Sequence, residues 1–257
     1  MESELVLSWP LWVAAGVVIL AAGLTQGVLG FGFPTISTPI LVLLTDVKTA
    51  IIINLLPNFT VNLIGVVRGG NWGASLGKYW PVAAYMLAGS FLGAQFLIVA
   101  PQEPLRLALA LIIIAYLYQQ RLAKLDWSWL TRHPRWSALT FGLTGGFFSG
   151  AVNQSLPPLL IYFTLLGLEI TAMTQMLNLC FLGGKVVQAA TLGFAREIRL
   201  SAALANIPLT LIGLAGMVIG ARLQKRFSAG TYHRLLRWIL LATAIVLIGQ
   251  SLRHFLR

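Results

Sequence analysis

The chain carries one glycine-rich pattern twice. Residues 23–27 (Gly-Leu-Thr-Gln-Gly) return as residues 142–146 (Gly-Leu-Thr-Gly-Gly), and Pro39 returns as Pro158 at the same spacing of 119 residues. A pattern that repeats at a fixed distance is the signature of a duplicated structural unit. The duplication therefore constrains the fold before any single motif is considered.

A second repeated pattern consists of small residues spaced one helical turn apart. Pro81 with Gly89-x-x-x-Gly93 returns 127 residues later as Pro208 with Gly216-x-x-x-Gly220. Two glycines at this spacing form a flat helix face that lets a neighbouring helix approach closely. We expect these faces to pack inside one chain, and the sequence leaves a homodimer open.

The composition places the chain in a lipid bilayer. Hydrophobic residues make up 58% of the chain and charged residues 10%, and the mean hydropathy is +0.83. So few polar groups cannot cover a soluble globule. The acidic start, Met1–Glu4, lacks the basic region of a secretory signal, so the first apolar run is interpreted as a retained membrane helix. A duplicated half in such a chain is typical of transporters, whose site forms where the repeats meet.

The apolar runs predict an all-α polytopic membrane protein of about ten helical segments. Because each half contains five elements, an odd number, we expect two inverted repeats, residues 1–120 and 136–257, joined by a basic, Trp-rich interfacial linker at residues 121–135. The second and seventh segments are too short to cross a hydrocarbon core that takes about 20 residues, so they are predicted to be broken or half-helices that form a central site. The predicted segments are 10–29, 33–45, 48–67, 79–99, 104–120, 136–150, 153–167, 170–192, 200–221 and 231–252.

The distribution of lysine and arginine predicts the orientation. Eleven of the 18 basic side chains follow the third, fifth and ninth segments, six lie on the opposite face, and Lys185 lies within a segment. Cytoplasmic loops are enriched in Lys and Arg, so the richer face is predicted to be cytoplasmic and both termini periplasmic or extracellular. The eleven are Arg68, Lys78, Arg121, Lys124, Arg132, Arg135, Arg222, Lys225, Arg226, Arg234 and Arg237, and the six are Lys48, Arg106, Arg196, Arg199, Arg253 and Arg257.

The breaks before the two short segments are predicted to line a cavity, because hydrocarbon does not tolerate unpaired backbone groups. Thr38 before Pro39, and Ser155 before Pro157, match a hydroxyl N-cap followed by proline at a helix start. Helix starts at mid-membrane would direct N–H groups and positive dipole ends at an anion. The alternative is that the prolines only kink packed helices. Candidate ligands at the breaks are Thr25, Gln26, Thr38, Asn153, Gln154 and Ser155.

Lys185 is the strongest single candidate for a ligand within the bilayer. An ammonium at mid-membrane costs about 2.5–3.5 kcal/mol, and the sequence provides no Asp or Glu inside a segment to neutralise it. Asn178 and Gln188 share a helix face with Lys185, which predicts an inward polar stripe that binds an anion. Asn54, Asn58 and Asn62 form a second stripe at four-residue spacing. The alternative is that both stripes only bridge helices through hydrogen bonds.

The duplicated hairpins, Gly23–Pro39 with its Gly-Phe-Gly-Phe-Pro core and Gly142–Pro158, resemble those of the TauE/SafE family, the sulfite exporter family of membrane permeases. The resemblance covers nearly the whole chain. It implies export of sulfite or a related organosulfur anion across the cytoplasmic membrane, coupled to an ion gradient of protons or sodium.

The sequence therefore predicts a secondary transporter that works by alternating access around a mid-membrane anion site. A passive anion channel, or a permease for a different small anion, is the alternative. We find no nucleophile motif, no paired metal ligands and no carboxylate pair within a segment, so no enzyme activity, cofactor or metal site is predicted. The single cysteine, Cys180, is interpreted as an apolar filler. Nucleic-acid binding is not predicted, because no basic domain outside the membrane accompanies the basic linker.

Overall fold

A computed structural model describes residues 8–69, 72–122, 124–198, 200–224 and 229–255, and all regular structure within these ranges is helical. The acidic start Met1–Glu4 and the basic residues Arg199, Lys225, Arg226 and Arg257 lie outside the described residues. The helices are α1 (Trp9–Leu29), α2 (Phe33–Leu44), α3 (Val47–Arg68), α4 (Trp72–Val99), α5 (Gln102–Leu117), α6 (Gln119–Leu122), α7 (Ser128–Arg132), α8 (Pro134–Val152), α9 (Leu156–Leu165), α10 (Ile170–Phe194), α11 (Leu200–Ala205), α12 (Ile207–Leu223) and α13 (Ala229–Phe255).

The predicted segments agree with these helices to within three residues except at three places. The fifth predicted segment, 104–120, is interrupted after α5 and extends into α6. Helix α4 begins at Trp72, seven residues earlier than predicted. The ninth segment is two helices, α11 and α12, which meet at Asn206. The break follows from Pro208, which occupies the first turn of α12, where its missing N–H leaves no bond unmade. The Asn206 side chain donates to the Ile52 carbonyl at 3.2 Å, which ties the break to α3.

Four described helices are long and apolar enough to cross a bilayer by length and composition: α1, α3, the Tyr79–Val99 part of α4, and α10. Shorter apolar helices are α2, α9, α12 and the Arg237–Ser251 part of α13. The short second and seventh segments are thus confirmed as α2, with 12 residues, and α9, with 10 residues.

Both short helices follow a sharp reversal of the backbone. Helix α1 ends at Gly30 with φ 81°, and Gly32 with φ 100° precedes α2. Helix α8 ends at Asn153 with φ 59°, and the Gln154 N–H donates to the Phe148 carbonyl at 3.0 Å. Residues with positive φ are the usual helix terminators. The predicted breaks are therefore confirmed at both hairpins.

The interpretation of Thr38 as a helix start is wrong, although the predicted segment 33–45 begins where α2 begins. Helix α2 begins at Phe33, and Thr38 and Pro39 lie inside it. Gly32 and Pro34 provide the start signal five residues earlier, and Pro39 removes only one hydrogen bond from a helix that is otherwise intact. The predicted start at Ser155 is confirmed, because Ser155 is the N-cap residue of α9, although its hydroxyl makes no capping hydrogen bond.

The repeated glycines join the two halves through direct contacts between helix backbones. A Cβ atom at Gly27 of α1 would overlap the Met217 carbonyl of α12, and one at Gly220 would overlap the Leu24 carbonyl. The same arrangement recurs between α4 and α8, where a Cβ at Gly146 would overlap the Met86 carbonyl. The expectation that Gly89-x-x-x-Gly93 and Gly216-x-x-x-Gly220 pack inside one chain is confirmed. The inversion of the repeats stays a prediction.

The segment between the halves packs against α8 through aromatic rings. Trp127 lies 5.6 Å from Phe141, and Trp129 stacks on the same ring at 6.4 Å, measured between centroids. The Arg121 guanidinium lies 5.6 Å from the centre of the Tyr118 ring. The position of this segment at the headgroup boundary, and its role as a linker between repeats, stay predictions.

Substituting alanine at Gly146 should destabilise the protein by about 1–3 kcal/mol, because the new methyl would force α4 and α8 apart. Gly193→Ala is the matched control, since a Cβ there meets nothing within 4 Å. We expect thermal unfolding of the detergent-solubilised protein to shift downward for Gly146→Ala and to stay level or rise for Gly193→Ala. Equal unfolding temperatures for the two variants would contradict the close α4–α8 contact.

Candidate functional site

The breaks in the two hairpins meet each other. The Gln154 side chain, after α8, donates through Nε2 to the Pro34 carbonyl of α2 at 2.6 Å. Asn153 Nδ2 donates to Thr38 Oγ1 at 2.8 Å. Polar groups at the break of one hairpin thus form hydrogen bonds with polar groups at the break of the other. Hydrocarbon would leave these groups without partners.

The asparagine stripe of α3 extends this contact. Asn58 Nδ2 donates to Asn153 Oδ1 at 3.2 Å, and Asn54 Nδ2 donates to Thr38 Oγ1 at 3.4 Å. Asn62 Nδ2 donates to Asn58 Oδ1 at 2.6 Å. All three α3 asparagines are fully buried. Asn54 and Asn58 therefore bridge helices, as the alternative interpretation allows, and binding of substrate by Asn58 and Asn62 stays a prediction.

A second polar cluster joins the first break to α10. Gln26 Nε2 donates to Asn178 Oδ1 at 2.8 Å, and Asn178 Nδ2 donates to the Gly30 carbonyl at 2.8 Å. Gln26 Oε1 accepts the Phe33 N–H at 3.1 Å. The N–H groups at a helix start are predicted to bind an anion. At the start of α2, the Phe33 N–H instead donates to the side-chain amide of Gln26. An anion can reach that N–H only if the Gln26 side chain moves.

Lys185 lies on α10 with only 1% of its surface exposed. Its Nζ donates to Gln188 Oε1, and Gln188 Nε2 donates to the carbonyls of Gly150 and Ser149 at 2.7 and 3.2 Å. These carbonyls belong to the last turn of α8, where the helix dipole is negative. The ammonium is therefore held, through one amide, at the negative end of a helix that stops inside the protein.

No carboxylate pairs with Lys185 among the residues that the structure describes. The ion pairs there are Lys48–Glu197 at 4.0 Å and Arg106–Glu103 at 2.8 Å. Gln188 is also the only described hydrogen-bond partner of the ammonium, which has three N–H donors. Donor capacity for an anion is therefore left over at Lys185.

The other predicted ligands are buried within the helices that carry them. Thr25 Oγ1 donates to the Ala21 carbonyl of its own helix at 2.8 Å, and Ser155 lies at the start of α9. The exposed fraction of every candidate side chain lies between 0 and 4%, so the site is closed to solvent in this conformation. The complete set is Thr25, Gln26, Thr38, Asn58, Asn62, Asn153, Gln154, Ser155, Asn178, Lys185 and Gln188.

Sequence reasoning missed the acceptors that hold these side chains and one hydroxyl beside them. The carbonyls of Pro34, Gly30 and Gly150 are backbone atoms, which a search for side-chain motifs does not consider. Thr35 Oγ1 is buried and has no hydrogen-bond partner among the described residues. Its signal in the sequence was its position three residues before Thr38, on the same helix face.

Two grooves lie outside the polar clusters. One, of about 860 Å³, runs between α1 and α12, and the other, of about 330 Å³, lies among α5, α8 and α9. Thr144 is the one polar side chain among the residues that line them. Their linings suit hydrocarbon and offer no cation to an anionic substrate.

Comparison with protein families identifies the chain. The model of the family described as sulfite exporter TauE/SafE matches residues 15–247, which include both hairpins and Lys185. The chain belongs to the TauE/SafE family. Membership implies a membrane transporter of sulfite-type anions and not an enzyme. Comparison with curated proteins gave no match, and comparison with solved structures gave none.

Asn153 has two roles that substitution can separate in this TauE/SafE family member: a left-handed backbone and side-chain bonds to Thr38 and Asn58. Asn153→Gly keeps the backbone conformation and removes only the side chain, whereas Asn153→Ala also strains the backbone by about 1–2 kcal/mol. We expect both variants to unfold at lower temperature than the native chain, with Asn153→Ala the less stable. Equal unfolding temperatures for the two variants would show that the positive φ of residue 153 does not affect stability.

Proposed function

We propose that this chain is a secondary transporter that moves a small sulfur oxyanion, sulfite or a related organosulfur anion, through a site centred on Lys185. The observation that carries the proposal is a fully buried ammonium with free N–H donors and no described carboxylate partner. Such a charge inside a membrane protein is expensive and usually functional. A substrate anion is the partner that lowers its free energy.

The surroundings of Lys185 favour a small oxyanion over a large organic one. Asn178 lies two helical turns before Lys185, about 10 Å along α10, and its Nδ2 already donates to the carbonyls of Gly30 and Thr174. Lys185 itself therefore provides the donors for an anion. Charge-assisted hydrogen bonds from an ammonium to an oxyanion are about twice as strong as neutral ones. Because every group here is buried, a bound anion is screened little by water.

Alternating access is the mechanism we propose, in a chain of two inverted repeats with the proposed boundaries 1–120, 121–135 and 136–257. The reciprocal glycine contacts support it, because α1 pairs with α12 and α4 pairs with α8, so each closely packed pair contains one helix from each half. Such pairs can move as units past α10, which carries Lys185. We propose export as the direction and a proton or sodium gradient as the driving force.

A passive anion channel is the second candidate, and the burial of the site favours the transporter over it. None of the candidate side chains exceeds 4% exposure, whereas an open pore would leave its lining in contact with water. The two functions differ in one measurable respect: only a transporter accumulates the anion against its own gradient when an ion gradient is imposed. Accumulation that never exceeds equilibrium would favour the channel.

Neutralising Lys185 should abolish transport. We expect Lys185→Gln to reduce radiolabelled sulfite flux in proteoliposomes at least about tenfold, which corresponds to a loss of about 1.4 kcal/mol. Lys48→Gln is the matched control, because Lys48, at the start of α3, donates to the Ile98 carbonyl of α4 and lies outside the proposed site. This variant should keep the native flux. Equal flux in both variants would remove Lys185 from the mechanism, and a native chain that carries no small anion would overturn the transporter.

A carboxylate beside Lys185 should compete with the substrate anion for the ammonium and reduce transport. Gln188→Glu changes one functional group and places an anion where the ammonium already makes its hydrogen bond. Because a carboxylate cannot donate to the Gly150 and Ser149 carbonyls as Gln188 Nε2 does, we expect this variant to unfold at a lower temperature than the native chain. We expect the folded fraction to lose anion binding, because its own carboxylate competes with the substrate for Lys185. Full flux in Gln188→Glu would show that Lys185 does not contact the anion.

Topology can be tested in a chain whose only cysteine, the buried Cys180, is replaced by alanine. We expect Ser8→Cys to react with a membrane-impermeant maleimide from outside the cell, and Leu125→Cys, in the predicted cytoplasmic linker, to react only after permeabilisation. Both positions are exposed. Reaction of both cysteines from the same side would contradict the predicted orientation.

A further inference from the structure

We infer that the basic segment between the two halves of the chain binds the headgroups of anionic phospholipids. The segment runs from the end of α5 at Leu117 into the first turn of α8, which begins at Pro134. The inference is independent of the proposed function, because lipid binding requires no transported anion. The side chains concerned, which we call the linker surface, are Tyr118, Arg121, Lys124, Leu125, Arg132, Arg135 and Trp136.

The four cations of the linker surface are exposed and have no carboxylate partner among the residues that the structure describes. Neither of the two described ion pairs involves them. The one carboxylate of the segment, Asp126, accepts the Ser128 N–H at 2.9 Å. Four cations and one carboxylate give residues 118–136 a formal net charge of +3 with His133 neutral. Anionic lipids attract basic clusters of this kind when they lie next to membrane helices.

Exposed apolar side chains lie beside these cations. The Tyr118 side chain is 47% exposed, and its ring centre lies 5.6 Å from the Arg121 guanidinium. Leu125 and Trp136, which are 58% and 66% exposed, directly follow a cation in the sequence. Aromatic side chains are enriched where hydrocarbon meets headgroups, and segments that bind bilayers combine apolar insertion with attraction to anionic lipids. A phospholipid therefore matches both kinds of side chain, whereas a soluble anion matches only the cations.

The backbone that carries the cations is folded and anchored. Trp127 Nε1 donates to the Leu122 carbonyl at 2.7 Å. The rings of Trp127 and Trp129 lie 5.6 and 6.4 Å from the Phe141 ring of α8, measured between centroids. Leu130, in the same short helix as Trp129, is only 1% exposed. A surface that is ordered before its ligand arrives loses less conformational entropy on binding.

Ring contacts connect the linker surface with the second hairpin. The Phe141 ring, which both tryptophans contact, lies 5.3 Å from the Tyr162 ring of α9. The Tyr162 ring lies 5.5 Å from the Phe163 ring. A ligand that binds the folded chain in preference to the unfolded chain stabilises the folded chain by mass action. Anionic lipid on the linker surface should therefore raise the unfolding temperature of the protein.

Binding can be measured on the purified full chain in an uncharged detergent, as the fluorescence anisotropy of labelled phosphatidylglycerol. We expect phosphatidylglycerol to bind more tightly than phosphatidylcholine with the same acyl chains, and added salt to weaken this binding because salt screens exposed charges. Unlabelled phosphatidylglycerol should also raise the unfolding temperature more than phosphatidylcholine does. Equal affinities and equal unfolding temperatures with the two lipids would overturn the inference.

Removing two cations locates the binding surface. Arg132→Gln combined with Arg135→Gln should raise the Kd for phosphatidylglycerol at least about tenfold, since each cation near an anionic surface strengthens binding roughly fivefold. Lys48→Gln combined with Arg196→Gln is the matched control, because it removes two cations outside the linker surface, and it should keep the native Kd. Both arginines of the linker surface are exposed, so without lipid the first variant should unfold close to the native temperature. The same Kd in both double variants would show that the lipid binds elsewhere.

Leu125→Ser distinguishes a phospholipid from a soluble polyanion. This variant keeps every charge and should bind phosphatidylglycerol more weakly, while its weak binding of the soluble headgroup glycerophosphoglycerol should not change. If the native chain binds glycerophosphoglycerol or a single-stranded oligonucleotide as tightly as phosphatidylglycerol, the linker surface recognises charge alone and the lipid assignment is wrong. Native sulfite flux in a chain that does not distinguish the two lipids would overturn only this inference, and lipid binding without flux of any anion would overturn only the proposed function.

Discussion

The structure depends on one constraint: a helix broken inside hydrocarbon must find partners for the backbone groups that the break exposes. Here each break is satisfied by the other half of the chain. Gln154 after α8 donates to the Pro34 carbonyl of α2, and Asn153 donates to Thr38. The polar centre therefore contains groups from both halves of the chain. The polar side chains thus support the fold as well as the proposed site.

The glycine contacts provide the rigid frame around this centre. Because a Cβ at Gly27 or Gly146 would overlap a carbonyl of the facing helix, α1 with α12 and α4 with α8 approach to backbone distance. Close approach maximises dispersion contacts where no hydrophobic effect drives helices together. Helices α3 and α10, which carry the asparagine stripe and Lys185, lie against these pairs. Helix α1 takes part in both, because it carries Gln26 of the polar centre as well as Gly27 of the close contact.

Much of the fold follows from the sequence, because length, hydropathy and glycine spacing act locally. The short α2 and α9, the breaks before them and the burial of Lys185 are all predictable in this way. Which proline marks the first turn of α2 is not predictable, because Pro34 and Pro39 both match the pattern, and the positive φ of Gly32 decides between them. The partners of Gln26 are not predictable either, because a side-chain amide can form hydrogen bonds with a substrate or with backbone groups equally well. For the same reason the unpartnered oxygens of Thr35 and Asn54 become visible only in the structure.

Gln26 has a further consequence for selectivity. Its carboxamide oxygen already accepts the Phe33 N–H at the start of α2, so the protein supplies its own neutral ligand at the place where an incoming ion would seek that donor. Any solute that binds there must be a better acceptor than an amide. Charged oxygens meet this condition, since charge-assisted hydrogen bonds are roughly twice as strong as neutral ones. Water and uncharged metabolites do not. In the proposed transporter, a resident competitor of this kind would favour anions over neutral molecules without a narrow constriction.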